Sequence, residues 1–164
     1  VASIVCFPGI MYRGGAEQKI RKYLVDNNYI DTVIQLPDNL FFGTSIATCI
    51  MVLKKSRLDT NVLFIDASKE FTKVTNNNKL MPENIERIVD IFTNRSTTDH
   101  VSRLVKYEEV KEQNYNLSIS TYVEKEDTKE KIDIIVLNKQ IEDIVKREND
   151  LRKEIDKIIK EIEG

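Results

Sequence analysis

The stretch that decides the fold is residues 30–54, IDTVIQLPDNLFFGTSIATCIMVLK. Residues 30–36 form an apolar run rich in β-branched side chains, and the Pro-Asp-Asn that follows at 37–39 is typical of a turn. Residues 46–53 have no polar face, which indicates a strand covered on both sides. The stretch therefore predicts two strands joined by a loop.

The loop carries two adjacent aromatic residues, Phe41 and Phe42, followed by Gly43. Simple alternation cannot place both neighbouring side chains of a connection in the core, so one of them is free to face a ligand. The alternative is that both are partly buried against the edge of the sheet. The residues alone leave both interpretations open.

The 164 residues, 41% apolar and 32% charged, suffice for one compact domain plus an appendage. A net charge of −2 argues against indiscriminate electrostatic binding to nucleic acid. We expect no membrane span and no signal peptide. The chain starts at Val1, without an initiator methionine and within what reads as a strand, so we expect a fragment of a longer protein. Cys6 and Cys49 lie in apolar runs and favour a reducing, cytoplasmic setting.

Upstream, residues 4–7 predict a strand and residues 16–27 a helix. With residues 30–36 they read as a β-α-β unit, which indicates a parallel sheet with a crossover helix. The apolar stripe of that helix is expected to be Ile20, Tyr23 and Leu24. Its basic residues, Lys19, Arg21 and Lys22, are expected to face outward.

Downstream, residues 62–66 predict a further strand, residues 69–80 a polar connection with a loop at its asparagines, and Pro82 the start of a helix. The apolar stripe of that helix is Ile85, Ile88, Val89 and Phe92. Residues 107–112 predict a helical turn, and residues 113–123 an extended segment.

The composition changes at residue 124, which divides the chain into domains at 1–123 and 124–164. The second holds 10 of the 25 Lys and Arg and 13 of the 27 Asp and Glu. Its apolar residues follow the alternating three-and-four step of a heptad repeat. This heptad seam comprises Ile134, Leu137, Ile141, Ile144, Leu151, Ile155, Ile158 and Ile162, with Glu148 at its one charged position. Such a long, coiled-coil-like helix needs a partner helix.

Few residues suggest catalysis within the chain. The five glycines form no G-x-G, which excludes a dinucleotide fingerprint and a P-loop. His100 has no spacing to Cys6 or Cys49 that indicates a nucleophile pair. Potential metal ligands cluster only in the charged helix, where a solvated face is the better interpretation, so we expect no metal site.

Three features suggest ligand contacts. Arg13-Gly14-Gly15 before a helix fits either a phosphate cradle or a flexible turn. The basic run at residues 19–22 fits a solvated helix face better than a nucleic-acid contact. An aromatic side chain beside the carboxyl end of a parallel sheet is placed where a flipped base could stack.

The strings CFPGIMYRGGAEQKIRKYL, VIQLPDNLFFGTSIATCIMVLKK, VLFIDASKEF and NYNLSISTYV occur in this order. Over residues 1–123 they resemble the modification (methyltransferase) subunit of type I restriction–modification systems. The resemblance implies an S-adenosylmethionine-dependent DNA adenine-N6 methyltransferase with a Rossmann-like class I sheet. Residues 4–7, 30–36 and 46–53 would be its last three strands, the final one antiparallel and between the other two.

By the same resemblance, the loop at residues 37–43 belongs to the target-base side of the cleft. Phe41 or Phe42, with a slight preference for Phe42, would lie against the extruded adenine. The target-base and DNA candidates are Phe41, Phe42, Asn39, Gly43, Arg13, Gly14 and Gly15.

The family's cofactor-binding glycine motif and its Asn/Asp-Pro-Pro-aromatic catalytic tetrapeptide are absent from this sequence. The resemblance therefore implies an enzyme as the parent protein and an inactive fragment, without catalytic residues or bound cofactor. The implied partners are DNA, the restriction subunit and a specificity subunit that reads the DNA sequence. The seam expected to dock on the specificity subunit is Leu137, Ile141, Ile144, Leu151, Ile155, Ile158 and Ile162.

Without that partner, we expect the helix to form a homodimer or to fold back on the domain, and the exposed first strand to be a second self-association site. Two alternatives to the whole assignment stay open. One is a non-enzymatic coiled-coil interaction module with an α/β head. The other is a methyltransferase that acts on RNA or protein.

Overall fold

The computed structural model describes residues 1–125 and 134–163. The chain divides into two compact units, Val1–Glu126 and Asp127–Gly164. No helix in the described part is both long and apolar enough to cross a membrane.

The first unit is an α/β domain built on a mixed sheet. The strands are β1 (Ala2–Cys6), β2 (Ile30–Gln35), β3 (Cys49–Leu53), β4 (Val62–Asp66), β5 (Thr72–Val74), β6 (Asn77–Lys79) and β7 (Ser102–Val105). The helices are α1 (Gly9–Tyr12), α2 (Ala16–Asp26), α3 (Pro82–Asn94), α4 (Tyr107–Glu112) and, in the second unit, α5 (Ile134–Glu163), with a 3₁₀ turn at Ile119–Thr121. The main sheet has the order β1-β3-β2-β4-β7, and β5 and β6 form a separate hairpin.

The predicted arrangement of the first three strands is confirmed. β3 lies between β1 and β2 and is antiparallel to both, with Met51 opposite Ile4 and Val33. β1 and β2 therefore point the same way, as the β-α-β reading requires, but β3 separates them. Only β2 and β4 are parallel neighbours. The third strand is shorter than predicted, because residues 46–48 belong to the loop.

The sheet is covered on both faces in its centre, which explains the continuous apolar runs of its strands. Neighbouring β2 residues Val33 and Ile34 point to opposite faces and are buried in separate clusters. One cluster includes Val25 from α2, and the other includes Ile88 from α3. The strand at the β1 edge is more exposed than the central strands.

The predicted orientation of α2 is confirmed for Leu24, Lys19 and Lys22 and is wrong for its other three residues. Arg21 faces inward with only 3% of its surface exposed, whereas Ile20 and Tyr23 are exposed. The Arg21 guanidinium donates hydrogen bonds to the carbonyl oxygens of Tyr115 (2.8 Å), Ile10 (2.7 Å) and Arg13 (2.7 Å). Five N–H donors on one planar group satisfy several carbonyls at once, so this arginine replaces an apolar residue on the buried face. It is unavailable for nucleic acid.

Two segments downstream also differ from the prediction. The polar residues expected to form a loop instead contain the β5–β6 hairpin. The helix at Pro82 is confirmed, but Ile88 is its buried apolar residue while Ile85 and Val89 are half exposed. The segment expected to be extended carries the 3₁₀ turn, and its Tyr122 ring stacks on Phe64 with ring centres 4.2 Å apart.

A buried ionic cluster lies at the edge of the sheet that is opposite the carboxyl ends of β2 and β4. The carboxylate of Asp31, buried in β2, forms ion pairs with Arg57 at 3.1 Å and with Arg95 at 3.3 Å. The Thr32 hydroxyl donates to its other carboxylate oxygen at 2.9 Å. Arg57 also donates to the carbonyl oxygens of Ile30 and Asn61. Asp31 therefore joins the connection that precedes β4 to the C-terminal end of α3.

Candidate functional site

The candidate site is the loop between β2 and β3, which lies at the carboxyl edge of the sheet. β2 and β4 run parallel and end together, with Gln35 opposite Asp66. Leu36 donates to the carbonyl oxygen of Thr48 at 2.8 Å, which closes the base of the loop. In open α/β sheets ligands bind outside the carboxyl ends of the strands, so the loop stands where a ligand is expected.

Phe41 and Phe42 occupy the tip of this loop in different environments. Phe42 is fully exposed (100%), whereas Phe41 is 41% exposed. A fully exposed phenylalanine gains nothing from the core and offers both faces of its ring to a ligand. The exposure therefore favours Phe42 as the ring available for stacking.

The backbone of the loop is turned sharply on either side of the two aromatics. Asn39 has φ of 48° and Gly43 has φ of 80°, both in the left-handed region. Gly43 tolerates this conformation because it lacks Cβ, and asparagine is among the residues that visit it. Phe41 accepts a backbone hydrogen bond from Thr44 at 3.4 Å. These turns carry Phe42 away from the sheet.

The β5–β6 hairpin supports the loop from outside. Asn78 donates through its side-chain amide to the backbone and carboxylate oxygens of Asp38, both at 2.9 Å. Its backbone N–H donates to the carbonyl oxygen of Asn39 at 3.0 Å. No pattern in the sequence predicts this contact. The β-branched residues at 72–75 before an asparagine run were a signal for a hairpin, but not for what it contacts.

A cavity of about 520 Å³ opens beside the loop. Its lining includes Gln35, Asp38, Asp66, Ser68, Phe71 and Lys125. Ala47 and Ile119 also line the cavity, so its wall combines carboxylates, hydroxyls and one lysine with apolar surface. A mixed wall of this kind is typical of ligand pockets, in which a few polar groups orient a ligand against apolar surface.

The Arg13-Gly14-Gly15 segment lies between α1 and the start of α2, after the carboxyl end of β1, a strand that points the same way as β2. Gly15 has φ of 75°, and the space around Gly14 is open. The Arg13 carbonyl oxygen is held by Arg21. The choice between a phosphate cradle and a turn stays open for this segment.

The two thiols of the sheet are poorly suited to nucleophilic chemistry. Cys6 and Cys49 are opposite each other on β1 and β3, and burial raises the pKa of both. The pKa of Cys49 is about 12, so the thiol stays protonated near neutral pH. Among the described residues, no group of three or more His, Cys, Asp or Glu could hold a metal ion.

In the second unit, α5 presents the heptad seam on its surface. The apolar seam residues are between 43% and 79% exposed, with Leu137 the least and Ile162 the most. Glu148, the charged member of the seam, pairs with Arg152 of the same helix at 3.2 Å. The helix is therefore an amphipathic surface whose apolar residues remain accessible.

Known methylase subunits are similar to this chain in sequence. The methylase subunit of the type I restriction enzyme MpnII from Mycoplasma pneumoniae is 51% identical over 162 residues, covering 98% of this chain and 30% of that protein. The methylase subunit of the type I restriction enzyme MjaVII from Methanocaldococcus jannaschii is 37% identical, covering 98% of this chain and 28% of that protein. The chain thus spans less than a third of the length of these relatives.

A crystal structure of the type I restriction–modification methyltransferase subunit from Streptococcus thermophilus has a similar fold. It matches with a TM-score of 0.73 and 46% identity, covering 74% of this chain and 26% of that chain. Residues 1–131 also match the family model described as N-6 DNA Methylase. The chain therefore belongs to the N-6 DNA methylase family and is similar to methylase subunits of type I restriction enzymes.

Proposed function

We propose that this chain is the C-terminal portion of the modification subunit of a type I restriction–modification system. The whole subunit would transfer a methyl group to adenine N6 in DNA, with this part supplying the target-base side of the cleft. The observation that carries the proposal is Phe42, fully exposed at the carboxyl edge of the sheet in a member of the N-6 DNA methylase family. The family match argues against a module without enzymatic ancestry.

The proposed role of the loop follows from the demands of base chemistry. An enzyme acting on a base within a duplex must extrude that base and hold it, and an aromatic face contributes about 1–3 kcal/mol of stacking per base. Phe42 would provide this face, and Phe41 would support the loop. Asn39 and Gly43 shape the turns, and Asn78 holds the loop to the hairpin. Proposed DNA contacts at Arg13, Gly14 and Gly15 would lie at the same edge.

The methyl donor proposed for the whole subunit is S-adenosylmethionine. The residues present here do not form a site for it, because no G-x-G turn follows a strand in this sequence. We therefore place cofactor binding and the catalytic tetrapeptide in the remainder of the subunit. The strands described here would form the last part of a Rossmann-like class I sheet. The whole subunit would act in the cytoplasm.

The proposal is tested by methyl transfer with the full-length subunit. Assembled with its specificity subunit and given S-adenosylmethionine, it should produce N6-methyladenine in duplex DNA, measured by mass spectrometry of digested nucleosides. The 164-residue chain with the same specificity subunit should produce none. Methylation of cytosine, RNA or protein by the full-length assembly, with no N6-methyladenine, would contradict the assignment.

The second proposed role is subunit docking through α5. We place the specificity subunit, which the restriction subunit would join in the complete complex, against the exposed heptad seam. Each seam isoleucine or leucine that becomes buried contributes about 1.5–3 kcal/mol, so a few of them suffice for a stable contact.

Glutamate substitutions at Ile144, Leu151 and Ile155 should raise the dissociation constant for the specificity subunit at least about 100-fold, because three charges would be buried without partners. Calorimetry or pull-down with the purified subunit measures this. A matched control places glutamates on the opposite face of the helix, at Lys146, Asn149 and Lys153, and should bind normally although it adds more negative charge. Equal binding by the two variants would count against the docking role.

A further inference from the structure

The α5 helix has the length and the exposed surface to pair with a second helix. Its 30 residues extend about 45 Å, and the apolar seam is exposed along that whole length. We propose that, in the chain without its partner subunits, two copies of α5 pair antiparallel, with Ile144 of one copy opposite Ile155 of the other. This inference concerns α5 by itself and does not rest on the proposed methyl transfer.

The spacing of the seam suits this arrangement. The seam has two kinds of position, those reached by a step of three residues and those reached by a step of four. In an antiparallel pair each position of one kind lies opposite a position of the other kind, and the numbers of the two facing residues have the same sum in every layer. With Ile144 opposite Ile155, the sum is the same in every layer. The layers are then Leu137 with Ile162, Ile141 with Ile158, Ile144 with Ile155, and Glu148 with Leu151, each occurring twice.

The charges beside the seam select this register. In the proposed pairing Arg147 of one copy faces Glu154 of the other, and this contact also occurs twice. Sliding the helices by one heptad in one direction places Arg147 against Arg147 of the second copy. Sliding them in the other direction places Glu154 against Glu154. Only the central register brings opposite charges together at these positions, which favours it.

A parallel pair is disfavoured by the same residues. It would place Glu148 against Glu148 within the seam, and Arg147 of each copy against Arg152 of the other. In the antiparallel pair Glu148 faces Leu151 and keeps Arg152 of its own helix, 3.2 Å away, as its counter-charge. Arg152 then flanks Val145 of the second copy. The antiparallel orientation therefore avoids every like-charge contact that the parallel one creates.

Cysteine cross-linking of the 164-residue chain tests the orientation. Two variants, Ile144→Cys and Ile155→Cys, are prepared separately and oxidised alone or mixed. Seam residues in one layer come within disulfide range, so the mixture should form a cross-linked dimer, and neither variant alone should do so. The unmodified chain is oxidised as a control, because any cross-link that it forms would come from Cys6 or Cys49. Cross-linking of each variant with itself would show a parallel pair, and no cross-linking in the mixture would also overturn the proposal.

Charge exchange tests the register in solution. Arg147→Glu replaces two attractive contacts by two repulsive ones and should raise the dimer dissociation constant about tenfold, measured by analytical ultracentrifugation. The double variant R147E/E154R restores opposite charges and should recover the original value. Lys146→Glu makes the same change one residue away, on the solvent face, and should have no effect. Equal effects at positions 146 and 147, or a chain that is monomeric at all concentrations, would contradict the proposal.

Discussion

Replacing Asp31 by alanine should lower the free energy of unfolding of this chain by about 3–5 kcal/mol, the usual cost of removing one partner from a buried ion pair. Arg57 would lose its buried carboxylate and Arg95 the closer of its two, and Arg57 is held by carbonyl oxygens in a site where water cannot replace it. In a domain of this size the loss corresponds to a fall in melting temperature of roughly 10 °C or more. Urea titration followed by circular dichroism measures it.

Asp59 provides the matched control for this prediction. It also pairs with Arg95, at 3.6 Å, but its side chain is 48% exposed. An exposed pair contributes about 0–1 kcal/mol, so Asp59→Ala should change stability little. Should Asp31→Ala fail to fold, Asp31→Asn keeps the shape and the Thr32 contact and should still be strongly destabilised. Similar stabilities for the Asp31 and Asp59 variants would show that the buried cluster is not what holds this edge.

The second prediction concerns catalysis by the full-length subunit with its partners. Phe42→Ala should lower the turnover number for adenine methylation about 10- to 100-fold, because about 1–3 kcal/mol of stacking on the extruded base is lost. Phe41→Ala should have a smaller effect, since Phe41 is the less exposed ring. The affinity for DNA should fall less than the turnover number, because most of that affinity comes from phosphate contacts made elsewhere.

A control for surface hydrophobicity is available at Leu58. This residue is fully exposed, in the connection between β3 and β4, at the opposite edge of the sheet from the loop. Leu58→Ala should leave methylation unchanged. If the double variant F41A/F42A also methylates at the normal rate in single-turnover assays, the loop does not hold the base.

The strands were predictable because their signals are local. The β-branched run at residues 30–36 and the apolar run ending at Leu53 mark strands by composition alone, and Pro82 marks the start of a helix. The reversed middle strand came from the family resemblance and agrees with the register of β3 against β1 and β2. Composition alone had indicated only a β-α-β unit.

The orientation of α2 was not predictable in the same way. Periodicity assigns arginine to the solvent face, and Arg21 breaks this rule because three carbonyl oxygens converge on it. One of these belongs to Tyr115, 94 positions along the chain. The hairpin that supports the loop shows the same limitation, since Asn78 reaches Asp38 across 40 positions.

By itself, then, the sequence determined where the main strands and helices lie, the heptad spacing of α5 and the family, because each of these is written in neighbouring or regularly spaced residues. Only the tertiary structure decided that Arg21 is buried, that Asp31 joins two arginines and that Phe42 is fully exposed on a supported loop. These features depend on contacts between distant segments. Their positions follow from how the whole chain packs, which local composition does not encode.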